Sequence, residues 1–199
     1  MKIKNYLLLI VLLIVFHKIE AHPHVFINTS ITFVFDMDGN ISGVKSKWVF
    51  DENFSATIKL DYDKNNDGQF SKEESDTVES EAFDNLKDVH YFTSIIVDGE
   101  KHLVEKVDDF RASIIDNKIV YEFFIPFHIN VETISKKIKI LIYDESYYID
   151  VEPVMENYIR LENDFNLENT ISKYDDITNK YYFDQIFPVA MVLDIKRMW

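Results

Sequence analysis

In HVFINTSITFVF, residues 24 to 35, the apolar side chains recur at alternate positions. Val25, Ile27, Ile31, Phe33 and Phe35 fall on one face, and His24, Phe26, Asn28, Ser30 and Thr32 on the other. A period of two belongs to an extended strand with one buried face, so this stretch commits the chain to at least one sheet. DMDGN (36–40) reads as a turn and ISGVKSKWVF (41–50) as the returning strand, which predicts a hairpin over 24–50.

Later runs repeat the strand chemistry. HYFTSIIV (90–97), DDFRASII (108–115), KIVYEFFIPF (118–127), KIKILIYD (137–144) and SYYIDV (146–151) are rich in β-branched and aromatic residues, with turn signals at Asp98-Gly99 and Asp116-Asn117. The expected fold is α+β: an antiparallel β-sheet or sandwich carrying one helical insert. From about 156 to 184 the chain is rich in Asn, Asp, Glu, Lys and Tyr with little periodicity, and no element is predicted there.

The first 21 residues read differently. Lys2 and Lys4 precede an unbroken apolar run from Tyr6 to Phe16 and a polar patch ending at Ala21, the layout of a secretory signal peptide. Such a run is shorter than the roughly 20 apolar residues a membrane span needs. Cleavage after Ala21 makes His22 the mature terminus, and the remaining chain, 22–199, is expected to be one periplasmic domain without a stable membrane span. The formal charge of −14 repels phosphate backbones, which excludes nucleic acid as a partner. No cysteine is present, so disulfides, thiolate metal sites and thiol catalysis are excluded.

The sharpest chemical signal is DKNNDGQFSKEE, residues 63 to 74. An EF-hand calcium loop takes oxygens from positions 1, 3, 5, 7, 9 and 12, with Gly at position 6 for the turn. Those positions hold Asp63, Asn65, Asp67, Gln69 (through its carbonyl), Ser71 (through water) and Glu74, with Gly68 at the turn. Phe54, Ile58 and Tyr62 form an apolar stripe before the loop, with Asp51 as N-cap; Val78, Ala82 and Leu86 form one after it, with Ser71 and Glu74 spelling a capping box. An EF-hand-like insert over 52–88 holding Ca2+ is therefore expected. A lone exported loop of this kind suits a structural site better than a sensor.

Two further candidates flank Pro23. A free amine and imidazole at His22 can chelate one metal ion, and His24 adds a second imidazole. Proline has no amide proton to lose, so the square-planar chelate through backbone nitrogens is closed. An amine-plus-imidazole brace, or convergence with a third histidine, stays open. His90 is the preferred third ligand, before His128 and His102. Nitrogen donors of this kind suit Zn2+, Ni2+ or Cu2+. Asp144, Glu145 and Asp150, beside the tyrosines of YDESYYIDV, read as solvated strand-end charges.

HPHVFI, WVFDENFS (48–55), the D-x-N-x-DG loop, HYFTSIIVDG (90–99) and YDESYYIDV (143–151) together resemble the exported family of domain of unknown function one thousand and seven. The resemblance covers roughly 22–152. It implies an uncharacterised periplasmic component of a transport system, often encoded beside nickel/cobalt exporter-type permeases, and it implies no ligand or catalytic residue.

The preferred reading is a non-enzymatic periplasmic metal-binding accessory of a transition-metal (nickel/cobalt or zinc) transport system, with a membrane metal permease as partner. Its alternative is a calcium-stabilised protein-interaction module without a transition-metal role. A histidine-brace copper oxidase stands behind both, because such a site needs an open coordination position and a buried axial environment that no spacing here demonstrates. No catalytic triad, phosphate-cradling loop or carboxylate pair is recognisable either.

Overall fold

The computed structural model describes residues 23–154, 157–162 and 165–198. The predicted hairpin is present as β1 (Val25–Phe35) and β2 (Ile41–Phe50), antiparallel, with Ile27 opposite Phe50. The helical segment follows: α1 (Glu52–Tyr62), α2 (Lys72–Val78), a π turn (Glu79–Phe83) and 3-10 turns (Asp84–Phe92). Seven strands then run to the C-terminal arm: β3 (Thr93–Val97), β4 (Glu100–Leu103), β5 (Asp108–Ile115), β6 (Lys118–Ile129), β7 (Lys136–Ile142), β8 (Ile149–Pro153) and β9 (Ile159–Glu162). β10 (Leu167–Asp175) and β11 (Val189–Arg197) complete the order. The chain is α+β.

Two sheets divide these strands. One runs β5-β6-β2-β1-β8, with β9 also on β1; the other runs β10-β11-β7-β3-β4. The second is antiparallel throughout. The first is mixed, because β8 and β9 lie parallel to successive halves of β1, a pairing the expected antiparallel sheet did not contain. Parallel partners are not joined by a hairpin turn, so nothing local in sequence announces them. Pro153 closes β8 on this edge, where its missing N–H costs no ladder bond.

One hydrophobic core joins both sheets and the helices. Ile27, Ile31 and Phe33 of β1 meet Trp48 of β2, Phe123 of β6, Ile138 and Ile140 of β7, and Leu193 of β11. Phe83 is fully buried against Trp48, Phe110, Tyr121 and Phe123, with ring centroids 4.2 to 6.4 Å apart. The predicted Val78, Ala82, Leu86 stripe gives way here. The π turn carries Phe83 rather than Ala82 onto the side of Val78, leaving Ala82 and Leu86 only partly buried.

Two buried serines dock the helices. Ser55 of α1 accepts the Ile119 N–H (2.9 Å), and Ser75 of α2 accepts the Ala112 N–H (2.9 Å) on edge strand β5. An edge amide that would otherwise lie buried without a partner is thereby satisfied.

The segment expected to open a strand at His90 does not. His90, Tyr91 and Phe92 all have φ between 51° and 54°, a left-handed turn, and β3 begins only at Thr93. Residues 146–148 likewise form a turn ahead of β8. The tract without prediction contributes β9, β10 and, with the next run, β11, whose Ala190 to Leu193 are fully buried.

Candidate metal centre

Loop 63–74 is organised from its own side chains. Asp63, which caps α1 and is nearly buried, accepts from the Asp67 N–H (3.2 Å) through Oδ1 and the Gly68 N–H (3.0 Å) through Oδ2. Asn65 Oδ1 accepts from Asp67 N–H (3.0 Å), and Asp67 Oδ1 from Gln69 N–H (2.9 Å). Gly68 adopts φ +79°, which an L side chain resists. At the far end Glu74 accepts from Ser71 N–H (2.9 Å) and Lys64 N–H (2.8 Å), while Ser71 Oγ accepts from Glu74 N–H: the expected capping box, with the loop start tied in. Those backbone donors, Ser71 before Lys64, hold the Glu74 carboxyl below the usual range, so it is an anion at neutral pH.

All six sequence-predicted loop residues thus lie on one tight turn between two helices. Each carboxylate is directed at backbone amides, however. Among the described residues no group of three or more His, Cys, Asp or Glu stands at a geometry to hold a metal ion.

The histidines are distributed. His22 lies outside the described residues, as does the expected signal peptide. His24 is exposed at the start of β1, its ring 4.9 Å from that of Tyr148 and its N–H donating to Tyr148 O (2.9 Å). His90 lines a cavity of about 230 Å³ with Thr93, Lys101, Tyr143 and Asp144. Its Nδ1 faces the Val104 carbonyl (3.2 Å), which can only accept, so Nδ1 carries the proton and Nε2 keeps its lone pair in the neutral ring. His102, exposed on β4, and His128, near the end of β6, line a separate groove of about 350 Å³. His128 Nε2 also meets Asn130 Oδ1 at 2.9 Å.

His24 contacts one end of the turn 144–148, at Tyr148, and the other end, at Asp144, lines the cavity of His90. Asp144 is not the solvated charge the sequence suggested. It is buried and accepts from the N–H groups of Ser146, Tyr148 and Ile149, fixing the turn on which the His24 ring rests. Asp150 is half-buried as well, and burial raises its carboxyl. With Glu152, Asp175 and Tyr181 it lines a cavity that sequence reasoning missed; the only available signal was Asp150 and Glu152 flanking Val151 at strand spacing.

The family described as Protein of unknown function (DUF1007) matches residues 7–181. The chain belongs to that family. An uncharacterised 15.5 kDa protein from the trpE 3′ region of Spirochaeta aurantia is 25% identical over 129 residues, 65% of this chain and 91% of that relative. The DUF1007 match spans loop 63–74, His24, His90 and turn 144–148, and ends before the central strand β11. Among the described residues no helix is long and apolar enough to cross a membrane.

Proposed function

We propose that this DUF1007 protein is a non-enzymatic, exported binding module whose EF-hand-like helix-loop-helix takes a structural Ca2+ in loop 63–74. The supporting observation is Asp63, whose two oxygens are oriented by the Asp67 and Gly68 amides at the first position of an all-oxygen donor set. Hard oxygens in a flexible ring suit calcium. Asp67 and Glu74 close inward from their backbone donors as the ion enters. The ion then ties α1 to α2, and through Ser55 and Ser75 stiffens the edge of the first sheet. Thermal unfolding in excess EGTA tests this: calcium restores the transition temperature and Glu74→Gln abolishes the restoration. A protein indifferent to EGTA carries no such site.

A second reading is a periplasmic accessory of a nickel/cobalt or zinc transport system that passes its ion to a membrane metal permease. It is favoured by the free Nε2 of His90 and by the turn linking its cavity to His24. A ligating histidine commonly donates its other ring N–H to a carbonyl, as His90 does to Val104. Native-mass counting of Zn2+, Ni2+ or Cu2+ tests it. Stoichiometric binding disappears when His22 and His24 become alanine, and retained binding removes the reading.

A further inference from the structure

Where the edge of the first sheet meets the end of the second, β8 brings two acids to one side. Asp150 and Glu152 face away from the buried Val151, and the end of β10 adds Asp175. Tyr147, Tyr181 and Phe187 wall the same cavity, which has a volume of about 250 Å³.

None of the three carboxylates forms an ion pair among the described residues. Lys173, the cation that acts on Glu152 from a distance, sits over the Tyr158 ring instead, 5.3 Å from its centroid. Burial raises the Asp150 carboxyl; burial and then Asp150 raise that of Glu152, against the opposing pull of Lys173. Lys180 stands 5.8 Å from the centroid of the Phe187 ring without pairing with any of the three acids.

Tyr181 supplies an independent observation. It is only 8% exposed and lines the cavity, yet its hydroxyl has no hydrogen-bond partner among the described residues. Paired backbone bonds to Ile186 (3.1 and 3.3 Å) and ring contacts to Tyr143 (4.9 Å) and Tyr147 (6.0 Å) fix its position. The side chain is more than nine-tenths buried, and its unpaired hydroxyl keeps accessible surface where the residue lines the cavity, within reach of a ligand atom.

We infer that this cavity binds an alkylammonium or guanidinium group, its charge met by Asp150, Glu152 and Asp175 and its stem by the rings of Tyr147, Tyr181 and Phe187. The carboxylates do not converge at metal-ligand geometry. They ring a space sized for an organic cation, and aromatic faces attract such a cation through their quadrupole. The group is either a free amine or the side chain of a basic partner protein.

Calorimetric titration of the full mature chain with agmatine, and with a glycine pentapeptide bearing one central arginine, tests the assignment. Saturable binding of either probe is expected, weakened at least tenfold in Asp150→Asn/Glu152→Gln and severalfold in Tyr181→Phe, with circular dichroism unchanged. Agmatine binding alone points to a free amine, and peptide binding alone to a partner's side chain. Glu74→Gln, which disables the calcium loop, leaves the affinity unchanged and so separates this site from that one. No saturable binding at millimolar concentration, or equal affinity in all variants, overturns the assignment. Calcium or zinc binding lost in the double variant but kept in Glu74→Gln overturns it in favour of a metal site.

Discussion

The carboxylate of Glu74 accepts a 2.8 Å hydrogen bond from the backbone N–H of Lys64, ten residues earlier, so the last residue of the candidate calcium loop is tied to its second. The loop is closed by the same side chain that would have to release this amide to become a bidentate ligand. Its shape is thus largely set before an ion arrives.

Calcium removal tests that closure. A ligand at one hundred times its Kd stabilises the state that binds it by about 2.7 kcal/mol. Differential scanning calorimetry should show a calcium-dependent rise in transition temperature in the parent chain and none in Glu74→Gln. Magnesium should restore less, because its demand for octahedral geometry fits a flexible ring poorly.

The serine contacts predict a second effect. Ser75→Ala leaves the buried Ala112 N–H without an acceptor, and Ser55→Ala does the same to Ile119. Each substitution should cost about 1–3 kcal/mol in urea unfolding, the ordinary penalty for stranding a buried donor. Ser75→Thr, which keeps the hydroxyl, should recover part of the loss.

Gly43 lies at the bulge where β2 meets β6, with its Cα hydrogens against the Ile125 carbonyl and the Phe124 ring. A methyl group there falls inside the contact distance of both. Gly43→Ala should therefore destabilise by about 1–3 kcal/mol through overpacking, read as a lower urea midpoint with an unchanged slope.

Acid stability is expected to follow Asp176. Burial pushes its carboxyl up, but hydrogen bonds from Lys139, Thr178 and Asn179 outweigh burial and hold it down to about 2, against an ordinary 3.8. A folded value below the unfolded one gives stability that is complete above 3.8 and lost as pH falls from there through about 2. Urea midpoints measured across that window should decline, and Asp176→Asn should flatten the decline while lowering stability at neutral pH. Lys139→Met, which strands the buried carboxylate, should cost about 3 kcal/mol at pH 7.

Much of the fold was legible because its signals are local. Alternation fixed β1 and its inward face, the Asp36-to-Asn40 turn set the hairpin, and Asp51, Gly68, Ser71 and Glu74 marked helix ends and loop by chemistry that acts over a few residues. Where the reading failed, distant packing prevailed. His90, Tyr91 and Phe92 have the composition of a strand, but Tyr91 and Phe92 turn left-handed to join the aromatic core around Phe83 and Trp48. β11 was overlooked because a strand buried on both faces shows no alternation.

The sequence by itself determined the turn of loop 63–74, since Asp63, Asn65, Asp67, Ser71 and Glu74 bond to amides a few residues away along the chain. Only the tertiary structure decided that β8 would lie parallel to β1, that turn 144–148 would link His24 to the cavity of His90, and that Asp150, Glu152, Asp175 and Tyr181 would share one wall. Residues up to 31 positions apart meet there because burying apolar faces brings strand ends together, and short-range propensity carries no record of which ends those are.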